Sequence, residues 1–186
     1  LVDANTAAQA GDLFGAKALL VGRLVSLDVK KASIKPSRKK GWESYQQKQY
    51  NASTKEYDLV TKYKKVHYNE FFGTNSVSLT VEYKLISTET GEILKTNLIS
   101  ETLEDEVWYI TYDANTKNLL SGSWNNKLIN SDTDVINTSY QDRRQIQNLL
   151  KANRKLVSTE ELKNTALKNV SGQAVNEINS YNPEED

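Results

Sequence analysis

His67 is the only histidine in the chain, and an imidazole is the side chain most often used for proton transfer near neutral pH. Glu70 follows three residues later, so a His–carboxylate pair is the first chemistry to test. That spacing joins side chains on a helix. His67 instead stands between Lys64-Lys65 and a segment that alternates like a strand, where side chains three apart point to opposite faces. A structural or surface histidine is expected, and a single histidine excludes a His-rich metal site. The acidic residues Glu101, Glu104, Asp105 and Glu106 lack the fixed oxygen spacing and turning glycine of a calcium loop. They read as a solvated segment. Gly15 and Gly22 form no phosphate-binding glycine motif, and no serine stands in a G-x-S-x-G elbow. The chain has no Cys, which removes disulfides, thiol nucleophiles and thiolate metal sites. The expectation is a protein that is not an enzyme, with no catalytic residue, cofactor or metal.

The chemistry these residue types do support is contact. Trp42, Tyr45, Tyr50, Tyr57, Tyr63 and Tyr68 are interspersed with lysines. Aromatics among cations can hold single-stranded nucleic acid or polysaccharide. No nucleic-acid module signature accompanies them, so a protein surface is expected and nucleic acid is not. The residues expected to make that contact are Trp42, Tyr45, Tyr50 and Tyr57, with Lys39 and Lys40, joined by Trp108 and Trp124 of a later acidic segment. Aromatic residues tend to dominate interface energetics.

Several elements must position these side chains. Residues 5–14 read as a short helix ended by Gly15. Residues 16–29 read as a strand that starts buried on both faces and emerges at its end, with Arg23 marking the emergence. Residues 77–86 are the clearest strand, with Val77, Leu79, Val81, Tyr83 and Leu85 on one face. The polar run STETGE (87–92) then interrupts the apolar pattern, and apolar residues return at 93–100. That is a β-hairpin, with Gly91 supplying a cheap positive φ. Residues 142–157 and 159–178 read as helices. The second opens on the capping box Ser158-Thr159-Glu160-Glu161 and repeats Leu162, Ala166, Val170, Ala174 and Ile178 every four residues. Asn182-Pro183 stops it, ahead of an acidic tail.

Two long stretches break this pattern. Residues 30–75 are a basic, Tyr-rich insertion, read as a long loop, a flexible segment or a polar hairpin. Residues 101–134 are an acidic one. Between 30 and 65, eleven Lys and Arg face three acidic residues, a net of +8, whereas 66–140 carries a net of −7 within an overall charge of zero. Opposed lobes of this kind suit a charged partner, a neighbouring copy, or two merely solvated insertions. At 186 residues and 38% apolar, one domain with a modest core is expected. No apolar run approaches the roughly 20 residues of a membrane helix.

Four pieces, in this order, resemble the CsgG family and the related TolB N-terminal-like envelope domains: AAQAGDLFGAKALLVGRLVSL (7–27), VSLTVEYKLISTETGEIL (77–94), NLISETLED (97–105) and ALKNVSGQAVNEI (166–178). The resemblance implies an α/β (α+β) fold, a small mixed sheet with a long β-hairpin packed against helices. It implies a single domain over 1–186 that starts after the family's first strand and helix and carries the two polar insertions. It further implies a bacterial periplasmic protein associated with the outer membrane, held by a lipid anchor outside this chain rather than by a spanning segment. The function expected from it is a non-catalytic accessory or scaffold that binds other cell-envelope proteins in outer-membrane assembly, secretion or cell-wall synthesis. The alternative is an oligomeric CsgG-type secretion channel, whose partners are further copies of the chain and whose insertions are membrane hairpins. A lipid-facing strand needs roughly nine to eleven residues of apolar alternation. Residues 108–112 offer only a short version.

Overall fold

The computed structural model describes residues 17–181. It contains β1 (Ala18–Lys30), β2 (Ser37–Asn51), β3 (Glu56–Ser87), β4 (Ile93–Thr111), a 3₁₀ turn (Thr116–Asn118), β5 (Leu119–Ser123), β6 (Val135–Ile136), α1 (Tyr140–Lys151) and α2 (Thr159–Asn179). The helix expected at 5–14, the stop at Asn182-Pro183 and the acidic tail lie outside the described residues. The strands make one six-stranded sheet in the order β1-β3-β2-β5-β6, with β4 also paired to β3. Most of the described residues are strand, and the fold is mixed α/β.

The expected mixed sheet is corrected to an antiparallel one. The registers of β1 and β2 with β3, of β2 with β5 and of β5 with β6 all run antiparallel. On β3 and β4, Ser78 meets Thr102 and Thr80 meets Ser100, each at 2.9 Å, so those strands also run in opposite directions. The connections explain it. β2–β3 and β3–β4 are joined by short turns, whereas a parallel pair needs a crossover of a dozen or more residues. At the second turn the Ser87 N–H donates to the Glu92 carbonyl at 2.8 Å and the Gly91 N–H to the Ser87 carbonyl at 3.0 Å. Gly91 takes φ 74°, where a side chain would be strained.

The chain divides into two compact units. The first comprises Leu1–Ala32, Thr74–Asp105 and Val157–Asp186, and the second Ser33–Gly73 and Glu106–Leu156. The two stretches read as separate polar insertions thus supply most of one unit that has its own core, and β6 and α1 complete it. In the first unit, alternation along β3 turns Val77, Leu79 and Tyr83 inward. The four-residue repeat of α2 lays Ala166, Val170 and Ala174 against Leu79, Tyr83 and Ile99. The Ser158 hydroxyl caps α2 by accepting from the Glu161 N–H at 3.1 Å. The Tyr83 hydroxyl donates to Glu177 at 2.5 Å. Burial, then that carboxylate, push the Tyr83 pKa up to about 12.

β1 departs from expectation. Its register slips between Leu24 and Ser26, leaving Val25 as a bulge. Leu20, Gly22 and Leu24 stand opposite Leu85, Tyr83 and Val81, and beyond the bulge Leu27 and Val29 stand opposite Leu79 and Val77. Opposed residues share a face, so the extra residue keeps the apolar side chains on the α2 side of the sheet. Arg23 points to the other face and bridges Glu82 at 3.0 Å, which replaces its expected place on the apolar face. Nor does β1 start buried: Leu20 is 46% and Leu24 51% exposed. The core residues of α2 lie over β3 and β4, and the outer strand is left partly uncovered.

The irregular segments that border the first unit are tied by one amide. Asn75 accepts from the Ala32 N–H at 2.9 Å and donates to the Val157 carbonyl at 2.7 Å, while Asp105 accepts from the Val157 N–H at 2.7 Å. Asn75 is buried. Replacing Asn75 with Ala leaves a buried donor and a buried acceptor unpaired, at roughly 1–3 kcal/mol each. We predict that Asn75→Ala lowers stability by about 2–4 kcal/mol in urea unfolding followed by circular dichroism. Leu128→Ala, at a side chain almost wholly exposed, is predicted to change it by less than about 0.5 kcal/mol.

Candidate functional site

The expected contact residues lie in the second unit, and they separate into a root and an arm. β2 and β3 pair without interruption from Ser37↔Glu70 to Asn51↔Glu56. Between the strands the Lys55 N–H donates to the Asn51 carbonyl at 2.8 Å, and Lys55 takes φ 59°. The basic insertion is therefore the polar hairpin among its three readings. β5 joins β2 only at Gly41, Trp42 and Glu43. Beyond that point the hairpin is a two-stranded arm. Tyr45, Tyr50, Tyr57 and Leu59 are exposed on it, Tyr57 at 69%. The Tyr50 and Tyr57 rings meet edge to face at 5.4 Å across the strands.

The root is a core. Trp42 and Trp124 are 4% and 5% exposed, so the expectation of exposed contact residues is corrected at these two positions. They pack with Leu120, Tyr63 and Ile136. The Trp42 indole donates to the Val135 carbonyl at 2.9 Å and the Trp124 indole to the Gly41 carbonyl at 3.0 Å. Gly122 lies against Trp42, where a Cβ would fall 2.1 Å from the Val135 carbonyl oxygen. Lys40 is tied to this root while staying exposed. Its Nζ donates to the Trp124 carbonyl at 2.6 Å and lies 5.0 Å from the ring centroid.

Directly opposite Trp42 on β3 is Lys65, which composition alone does not distinguish from its neighbouring lysines. Its ammonium lies 5.4 Å from the Trp42 ring centroid. It donates to the Asn126 and Ile129 carbonyls at 2.8 and 2.6 Å and pairs with Asp134 at 2.5 Å. The two side chains are 3% and 7% exposed. The hydrogen bond from Lys65 holds the Asp134 pKa below the usual carboxylate range, against the opposing effect of burial. Once the register Trp42↔Lys65 is known, the pair is visible. In the sequence, Lys65 is one of three lysines in TKYKK with nothing to set it apart.

Lys39 and Trp108 meet on one carboxylate. The Lys39 ammonium bridges Glu70 at 2.9 Å, and the Trp108 indole donates to the same group at 3.0 Å. Burial works to raise the Glu70 pKa, but these two hydrogen bonds and the Lys39 charge outweigh it and hold the group below its ordinary value. His67 does not turn to Glu70. Its Nδ1 accepts from Arg38 at 3.2 Å and its ring meets Trp124 edge-on at 4.8 Å. Tyr112 donates to Glu43, which also bridges Lys64 at 3.1 Å. Burial, then Glu43, raise the Tyr112 pKa, in keeping with a hydroxyl that donates to that carboxylate. Among the described residues no three His, Cys, Asp or Glu side chains stand close enough to hold a metal ion.

Comparison with protein families, curated proteins and solved structures finds no match for the chain.

The Lys65–Asp134 pair generates a signed prediction. A carboxylate whose pKa is depressed on folding adds stability that is complete above its unfolded pKa and fades as pH falls through the folded one. The unfolding midpoint of the tryptophan fluorescence, which arises wholly in this unit, should fall below about pH 4 in the parent. Asp134→Asn should lower the midpoint at pH 7 and flatten that acid dependence. Asp134→Asn with Lys65→Met should recover most of the loss, since the buried charge left unpaired is then gone.

Proposed function

We propose that this chain is a non-catalytic accessory or scaffold protein of the bacterial cell envelope, related to the CsgG and TolB N-terminal-like domains. In this reading it is periplasmic, held at the outer membrane by a lipid anchor outside the given chain, and it binds other envelope proteins through the β2–β3 arm. The single observation that carries the reading is the arm itself. Two-stranded ribbons are marginal in water. This one keeps exposed tyrosines, Leu59 and unpaired backbone edges beyond the reach of β5. Such an edge accepts an added strand, so the partner is an extended segment of another envelope protein with apolar side chains to set between the tyrosines. The order of the four motifs supports the envelope assignment.

The same registers weigh against the channel reading. Tyr45, Gln47 and Gln49 share a face with Lys62, Val60 and Asp58, and Gln46, Lys48 and Tyr50 share the other with Thr61, Leu59 and Tyr57. Each face carries charge or amide groups. A lysine facing lipid at mid-membrane costs roughly 2–4 kcal/mol, and neither face has an apolar band to offset it.

Photo-crosslinking in native envelopes tests the proposal. A benzoylphenylalanine at position 57 should give a discrete adduct with a second protein, and the same group at Tyr140, exposed on α1, should not. Tyr57→Ser with Leu59→Ser should abolish capture by a wild-type arm position while shifting stability by less than about 0.5 kcal/mol. Adducts containing only copies of this chain would replace the accessory reading with a homo-oligomer. Equal labelling from both positions would overturn it.

A further inference from the structure

We propose that the cleft between the start of β2 and the β5–β6 edge is a binding site for a phosphate group. The cleft is about 570 Å³, with Arg38, Lys39 and Lys40 on one side and Ser121, Ser123 and Asn137 on the other. Every one of these side chains offers an N–H or O–H donor. No carboxylate lines the cleft. Lys39 is neutralised by Glu70. Arg38 and Lys40 have no carboxylate partner among the described residues. Arg38 commits a donor to His67 and Lys40 one to the Trp124 carbonyl, so both keep donors for a ligand. Asn137 donates to Ser121 through its side chain and its backbone, each at 3.0 Å, which fixes that wall and leaves the Ser121 hydroxyl proton free to turn inward. Two uncompensated cations facing hydroxyls suit a dianion, because charge-assisted hydrogen bonds from a guanidinium and an ammonium are the strong ones. The volume exceeds one phosphate, so the group can be free or carried on a small ester.

His67 is a built-in reporter. Its own burial, then the charges of Arg38, Lys127 and Lys40, hold its pKa below the ordinary 6.5. The Trp124 ring covers one edge of it, and the nearby Glu70 is occupied by Lys39 and Trp108. A dianion bound beside Arg38 and Lys40 cancels part of that field and raises the pKa. Because the chain has one histidine, its ring resonance titrates alone in an NMR experiment. The probes are inorganic phosphate and glycerol 3-phosphate, each at an ionic strength fixed with chloride. The expected result is a saturable rise in the His67 pKa, with backbone amide shifts at Ser121, Ser123 and Asn137. The tighter of the two probes identifies the source as free or esterified phosphate. Read from those amide shifts, Arg38→Gln and Lys40→Gln should each weaken binding about tenfold, the loss of one charge-assisted hydrogen bond. Lys84→Gln, in the first unit, should leave it unchanged. The proposal is overturned if chloride alone gives the same shifts, or if no saturation is reached by about 10 mM, well above a millimolar Kd. Binding by both cleft variants as tight as the parent's would overturn it too.

Discussion

One buried amide, Asn75, holds the segments through which the chain leaves the first unit. Its side chain carries a carbonyl acceptor and an amide donor on separate atoms, so it can accept from one backbone and donate to another at once. Asn75 does both, to Ala32 and to Val157, and Asp105 completes Val157 from the other side. Residues 31–36 and 152–158 lie outside any strand or helix. Their backbone groups have no ladder to join, and a buried one without a partner costs as much as a lost hydrogen bond. Leucine would fill the space of Asn75 and strand both groups. Aspartate would accept from Ala32 but set a negative charge against the Val157 carbonyl. The contact lies just past the Lys30↔Ser76 end of the β1–β3 ladder and just before the start of α2 at Thr159.

In the second unit the organising group is a charge. Lys65 gathers Asn126, Ile129 and Asp134 around one ammonium, so a loop with little regular structure is closed over the Trp42 ring. The aromatic residues are divided accordingly. Those at the root, Trp42 and Trp124, have indole N–H groups already committed to backbone carbonyls and add to the core. Those on the arm, Tyr45, Tyr50 and Tyr57, keep their surface. A rigid root and a bare tip suit recognition, since the tip's side chains are presented without the root having to reorganise.

Legibility followed the local rules. Alternation exposed the core face of β3, a positive-φ glycine exposed the turn at 87–92, and Ser158 exposed the start of α2, because each signal is complete within a few residues. The β1 bulge was not legible. Val25 is as apolar as its neighbours, and only the partner strand reveals that it is skipped. α1 runs Tyr140–Lys151 against the 142–157 expected, and its Ile146, Leu149 and Leu150 pack. Asn153, Leu156 and Val157 fall beyond its end at Ala152. The second unit was the largest loss. Its strands are rich in Lys, Gln and Glu, and its core is assembled from Trp42, Leu119, Leu120, Trp124 and Ile146, which come from three separate segments.

Composition misleads there for a physical reason. A lysine counts as surface charge in a sum, yet its stem is apolar and its head can be satisfied by carbonyls. Of the cations behind the +8 of residues 30–65, Lys65 is buried, and Lys39 and Lys64 are paired with Glu70 and Glu43. The net charge of the segment therefore overstates what a ligand or partner meets. Arg38 and Lys40 keep their charge beside a wall of hydroxyls, while the arm beyond them is close to neutral and aromatic. Charge and aromatic surface looked interleaved along the chain. The hairpin register sorts them into two places with different chemistry, cations at the root and aromatic rings on the arm.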